Sequence, residues 1–177
     1  MTKYAKTYAG ALYDLAAEEG REDEILNDIA LACDVLRKEP EYRRLLSSPA
    51  ISKEERKSLL RESLGSSMGQ YTMNFLCMLI DGGSLSELEN CEREYVNRYN
   101  IAKNILEVSV TSAVALSEKQ RDSLVSAIEK KTGKKVRLTE KLDPSVIGGL
   151  RLSADGKLYD GTIEHHLKNI SQMLQSN

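Results

Sequence analysis

The apolar residues of this 177-residue chain change their period once, near residue 105. That single change limits the fold more than any other feature. Before it, apolar side chains recur every three or four residues, as along one face of a helix; after it they alternate, as on one face of a strand. The pattern predicts a mainly α protein: an N-terminal six-helix bundle over residues 1–104, followed by a small α+β C-terminal domain over 105–177.

In the first part, Tyr4, Tyr8, Leu12 and Leu15 with Ala5, Ala9 and Ala16 form one stripe, which Gly20 closes. Ile25, Ile29, Cys33 and Leu36 form a second, with acids Glu22-Asp23-Glu24 at its start and Arg37-Lys38 before Pro40. That is the charge order a helix dipole favours. A short segment, Glu41–Leu46, stops at Ser47-Ser48-Pro49. Ser52 and Glu55 then read as a capping box for a helix to about Leu64. Met68–Ile80 is apolar nearly all round and so predicted central, ending at Gly82-Gly83. Leu85, Leu88, Cys91, Tyr95 and Tyr99 make the sixth stripe.

Beyond the change, Leu106, Val108 and Val110 alternate with polar residues. Ser117 and Gln120 form a second capping box, opening a helix that carries Leu124 and Ile128 and stops at Gly133. Val136 and Leu138 alternate again. Leu150 and Leu152 precede Asp155-Gly156, a hairpin signal, with Leu158 after it. A last helix is expected over Thr162–Leu174, with Ile163, Leu167, Ile170 and Leu174 on one face.

With 41% apolar residues the chain can build real cores, and its net charge of −2 gives no general attraction to nucleic acid. The halves differ: 14 basic against 18 acidic residues up to 104, then 11 against 9. The longest apolar run, Phe75–Ile80, is six residues, where a membrane span needs about 20. No direct membrane insertion is expected. Met1–Lys6 lacks an apolar signal core and acids appear from Asp14, which predicts no signal or transit peptide. Cys33, Cys77 and Cys91 are spaced neither as a disulfide framework nor as a zinc site, and are expected to be buried free thiols.

No motif carries catalytic chemistry. Gly65-Ser66-Ser67-Met68-Gly69 matches the G-x-S-x-G pattern formally, but that elbow needs a strand before the serine, and helical pattern flanks both sides here. A hydrolase using Ser67 is the weaker alternative. Gly133-Lys134 resembles the end of a phosphate-binding loop, yet Lys135 replaces the hydroxyl residue and Ile128 the first glycine. His165 and His166 are adjacent and point about 100° apart on a helix, so they cannot share one metal. No enzyme activity, cofactor or metal is expected.

Two features suggest interaction instead. Lys130, Lys131, Lys134, Lys135 and Arg137 form the one basic cluster. It reads either as the solvated end of a helix or as a docking patch, for a protein partner or, in an adaptor, for nucleic acid. No aromatic is interleaved, which disfavours base stacking. Tyr4, Tyr8 and Tyr13 are more tyrosines than one buried face needs, and tyrosine suits interfaces because its hydroxyl can stay wet.

Specific strings carry a family resemblance. Tyr8-Ala9-Gly10-Ala11-Leu12-Tyr13-Asp14-Leu15-Ala16 resembles the opening helix of the delta subunit of bacterial F-type ATP synthases, relatives of the mitochondrial oligomycin-sensitivity-conferring protein. Ser48–Glu55 is similar to that family's connector into the fourth helix, and Asn74-Phe75-Leu76 to the start of its fifth. Asp143-Pro144-Ser145-Val146-Ile147-Gly148-Gly149-Leu150-Arg151-Leu152, then Asp160-Gly161-Thr162, is similar to its C-terminal signature. The chain departs from the family where an Asn-Gly-Arg-Leu turn is usual: it has Gly82-Gly83-Ser84-Leu85, without the arginine.

The resemblance implies a non-catalytic stator subunit of a proton-transporting ATP synthase, at the cytoplasmic face of the plasma membrane. In that family the helical bundle holds N-terminal segments of the alpha subunits, through its first and fifth helices. The C-terminal domain binds the end of the peripheral-stalk b subunit. On that basis Tyr8, Ala11, Leu15, Met78 and Leu79 are expected to line a groove for an alpha helix. Asp143, Gly148, Gly149, Asp160 and Gly161 are expected to form the fold rather than contacts. No nucleic acid is expected as partner, and the isolated chain is expected to be a monomer.

Overall fold

The computed structural model describes residues 2–146, 148–154 and 157–160. The chain divides into two compact units, Met1–Tyr99 and Asn100–Asn177. The first is all helical: α1 (Lys3–Glu18), α2 (Glu22–Lys38), α3 (Pro40–Ser47), α4 (Lys53–Leu64), α5 (Gln70–Asp81), a single 3-10 turn over Leu85–Glu87, and α6 (Leu88–Ala102). The six expected helices are present, with shifted edges. The fifth begins at Gln70 rather than Met68, because Gly69 is extended (φ −68°, ψ 158°) and acts as its N-cap. Pro40 opens α3 at the first turn, where its missing N–H leaves nothing unsatisfied.

Helix ends are set by the residues the sequence marks. At Ser52 the hydroxyl accepts the Glu55 N–H at 3.2 Å and Glu55 accepts the Ser52 N–H at 3.1 Å. Ser117 and Gln120 repeat the arrangement in the second unit. The bundle core is built from Ala5, Ala9, Leu12 and Tyr13 of α1, Ile25, Ile29 and Cys33 of α2, Leu76, Leu79 and Ile80 of α5, and Cys91 and Tyr95 of α6. Tyr95 packs edge-on against Tyr13, centroids 5.3 Å apart, and donates its hydroxyl to the Glu22 carbonyl at 3.1 Å. That partner is what makes a fully buried phenol tolerable.

Within the second unit, β1 (Ile105–Ser112), α7 (Glu118–Thr132), β2 (Lys135–Leu142), β3 (Arg151–Ala154) and β4 (Lys157–Asp160) follow in order. The sheet order is β2-β1-β3-β4, with β1 and β2 parallel and the other pairs antiparallel. A parallel pair needs a long crossover, which α7 supplies. Gly133 ends that helix in the left-handed region (φ 68°) and donates to the Glu129 carbonyl at 2.8 Å. Leu106, Val108 and Val110 of the central strand are buried on one face. The Asp155-Gly156 turn and the expected helix Thr162–Leu174, with His165 and His166, lie outside the described residues.

Candidate partner-binding surface

The first helix presents two faces to two different surroundings. Ala5, Ala9, Leu12, Tyr13 and Ala16 are buried. Beside them run Tyr4, Tyr8, Ala11 and Leu15, spaced four, three and four residues apart and therefore on one side of the helix. Tyr8 and Leu15 are half-buried and Ala11 is exposed. Tyr4 and Tyr8 stack with ring centroids 4.1 Å apart, which stiffens the start of the stripe. Thr2 caps this end: its hydroxyl accepts the Ala5 N–H at 3.2 Å and donates to Glu87 at 2.5 Å. The Thr2 hydrogen bond, with a second from Asn90, holds the Glu87 carboxyl below its usual range.

Helix α5 lies antiparallel to this stripe. At one end the Tyr4 hydroxyl reaches Gly82, 3.4 Å from where a Cβ would stand. At the other, the Arg21 guanidinium sits 5.7 Å from the centroid of the Tyr71 ring, a cation–π contact. One turn before Gly82, Met78 is 40% exposed. Asn74 is exposed one turn further back. Tyr8, Ala11 and Leu15 of α1 and Met78 of α5 thus leave aromatic, small and flexible apolar side chains open to a partner. Ala11 leaves room for a close helix approach, and Met78 can adapt its shape to a partner.

Leu79 is not part of that surface. It is 0% exposed and belongs to the bundle core. Neighbours on a helix point about 100° apart, and here that turn carries Leu79 into the core while Met78 stays open.

At the end of α5, Gly83 is left-handed (φ 63°) and the Ser84 N–H returns to the Leu79 carbonyl at 2.8 Å. The Gly82-Gly83-Ser84-Leu85 turn thus closes on this backbone bond, and the Ser84 hydroxyl adds one more by donating to the Gly82 carbonyl at 3.1 Å. Asp81, just before it, is held by Lys57 at 2.9 Å, while Lys53 donates to the Asp81 carbonyl at 2.7 Å.

Sequence reasoning missed the long-range ties that rigidify this face. Asp28 of α2, 8% exposed, accepts the Gly69 N–H at 2.8 Å and so anchors the N-cap residue of α5 from a neighbouring helix. Arg98 of α6 packs against Gly10 and pairs with Glu94 and Asp14. The available signal for the first was a carboxylate sitting within an otherwise apolar stripe.

The second unit carries the signature strings. Asp143 accepts both the N–H (2.9 Å) and the hydroxyl (2.6 Å) of Ser145, an Asx turn that keeps its carboxyl below the usual range. Gly148 and Gly149 adopt φ of 64° and 82°, a region that disfavours side chains. Asp160 ends β4 opposite Arg151 in register, and Gly161 lies outside the described residues.

Ser67 sits in the turn between α4 and α5, with no strand before it, so the nucleophile elbow is not formed. Cys33, Cys77 and Cys91 are buried free thiols. Burial pushes all three up, Cys91 to about 11, and at Cys33 the neighbouring Glu92 adds to the effect. Such thiols are poor nucleophiles. Among the described residues, no cluster of three or more His, Cys, Asp or Glu is arranged to hold a metal.

Comparison with known proteins agrees over nearly the whole chain. The family model described as ATP synthase delta (OSCP) subunit matches residues 4–174. The chloroplastic ATP synthase subunit delta of Emiliania huxleyi is 32% identical, over 98% of this chain and 97% of that one. The sodium ion specific ATP synthase subunit delta of Ilyobacter tartaricus is 28% identical, over 94% and 95%. A chain in the cryo-EM structure of the Toxoplasma gondii mitochondrial ATP synthase hexamer shares the fold, with a TM-score of 0.75, 98% of both chains covered and 20% identity.

Proposed function

Because the chain belongs to the ATP synthase delta (OSCP) subunit family, we infer that it joins the alpha/beta catalytic head of a rotary ATP synthase to the peripheral stalk. Membership makes it a non-catalytic component of the stator. The finer reading assigns one contact to each part: residues 1–104 hold the N-terminal segment of an alpha subunit, and residues 105–177 hold the C-terminal end of the b subunit. The chain reaches the membrane through the complex. Among the described residues, no helix is long and apolar enough to cross one.

The observation that carries the head contact is the open stripe of Tyr8, Ala11 and Leu15 on α1, together with the exposed Met78 on α5. An amphipathic partner helix lays anchors at i, i+3/i+4 and i+7 into such a surface. A stator must resist torque without letting go. Two contacts on one chain favour this, since a partner released at one site stays at high effective concentration through the other.

The test is calorimetric titration with a synthetic peptide of the alpha-subunit N-terminus from the same organism. Saturable one-to-one binding that Ala11→Arg abolishes, with an unchanged melting temperature, is expected. A folded Ala11→Arg variant that binds as the parent does overturns the groove assignment. No binding by the parent protein at about 50 µM, equivalent to roughly 6 kcal/mol, overturns the head contact.

A further inference from the structure

The basic cluster has a geometry that a solvated helix end does not explain. Lys130 and Lys131 close α7, where cations suit the carbonyl end of the dipole. Lys135, Arg137 and Lys141, however, belong to strand β2 and share its outward face, with Thr139 between them. All are exposed. The strip continues from the end of α7 along the edge of the sheet for about 25 Å, taking about 3.3 Å per strand residue.

Acids that would neutralise the strip are engaged elsewhere. Glu140 pairs with Arg121 of α7 at 2.6 Å, on the opposite face, and Glu129 accepts the Val136 N–H at 3.0 Å. On the outward face of β1 and β2 the one acid among the described residues is Glu107, 3.8 Å from Arg137. Charge on an edge strand, lysine above all, prevents unwanted pairing. A run of one sign is also the pattern that an acidic partner complements. Ser109, Thr111 and Thr139 lie between the charges, and no described aromatic takes a register position on this face of β1 or β2 to stack a base. The strip's length matches an α-helix of about 16 residues.

We propose that the outward face of β1 and β2, from Lys135 to Lys141, is a docking surface for an acidic helical segment of the b subunit. The proposal rests on the reading of residues 105–177 as the stalk-holding part. Carboxylates along one side of that helix meet Lys135, Arg137 and Lys141, and the affinity falls with salt as charge pairs at an exposed interface do.

The experiment titrates the full chain with the soluble part of the b subunit from the same organism, at rising salt. The triple variant Lys135→Glu, Arg137→Glu, Lys141→Glu is expected to bind at least about tenfold more weakly than the parent and to lose most of the salt dependence. Glu107→Gln is expected to bind about two- to threefold more tightly at low salt, a gain that damage to the fold would not produce. Thermal melts and binding of the alpha peptide report that the variants are folded.

Parent-like binding by a folded triple variant overturns the surface while leaving the stalk contact standing. If the parent binds a single-stranded oligonucleotide and not the b subunit, the stalk reading and the acidic-helix proposal both fall. Binding of neither overturns both as well.

Discussion

The guanidinium of Arg98 packs against Gly10, so closely that a Cβ there would stand 2.7 Å from Nη2 and 2.8 Å from Cζ. The same side chain pairs with Glu94 at 3.0 Å and with Asp14 at 3.5 Å, tying α6 to the helix that carries the candidate groove. Gly10→Ala must displace this guanidinium, which costs about 1 kcal/mol of contacts. It also gains about 0.8–1 kcal/mol of helix propensity. In the parent protein the two effects nearly cancel. In an Arg98→Ala background the propensity gain stands alone, and Gly10→Ala is expected to stabilise by about 0.5–1 kcal/mol. Urea denaturation of the four proteins in the cycle measures the difference; equal effects in both backgrounds would mean the contact carries no energy.

Asp28 holds the residue that starts α5, accepting the N–H of its N-cap Gly69. Removing the carboxylate leaves that N–H without its acceptor and takes a negative charge from the start of the helix. Asp28→Ala is expected to cost about 1–3 kcal/mol. Asp28→Asn keeps an acceptor oxygen but loses the charge at a helix N-terminus, and should cost roughly half as much. Denaturant midpoints with unchanged slopes would show it; a neutral Asp28→Ala would remove this anchor from the account of α5.

Met78 and Leu79 separate binding from folding. Leu79 is fully buried, so Leu79→Ala leaves a cavity and should destabilise by about 2–4 kcal/mol. Met78→Ala, at an exposed position, should alter stability by no more than about 0.5 kcal/mol yet weaken binding of the alpha peptide severalfold. Loss of stability without loss of binding at Met78 would place that side chain outside the groove.

Alkaline pH should unfold this protein through its thiols. An unfolded cysteine ionises near its ordinary value of about 8.5–9, whereas burial raises Cys91 to about 11. Between those values the unfolded chain has released a proton that the folded chain still holds, so stability falls as pH rises. The contribution is fully present below about pH 8.5 and is lost through about 11, at up to about 1.4 kcal/mol per pH unit. Cys33 and Cys77 are raised too and act in the same direction. Cys91→Ala should flatten the decline measured by denaturation at pH 8, 9 and 10; an unchanged slope would show that Cys91 does not carry it.

What could be read in the sequence was set by interactions spanning a few residues. The two capping boxes at Ser52 and Ser117, the stop at Gly133 and the change of period near 105 each depend on local backbone preference, and each appears in the structure. Pattern could not choose between neighbours on one helix turn, because Met78 and Leu79 are equally apolar and only packing decides which is covered. Nor could it pair residues far apart in the chain: Asp28 reaches Gly69 across 41 positions, and Lys141 joins Lys135 and Arg137 only because strand geometry sends alternate side chains to one face. The sequence by itself determined the elements, their order and the absence of a catalytic motif. Tertiary structure alone decided which faces stay open, because burial depends on what packs against a helix or strand rather than on its own residues.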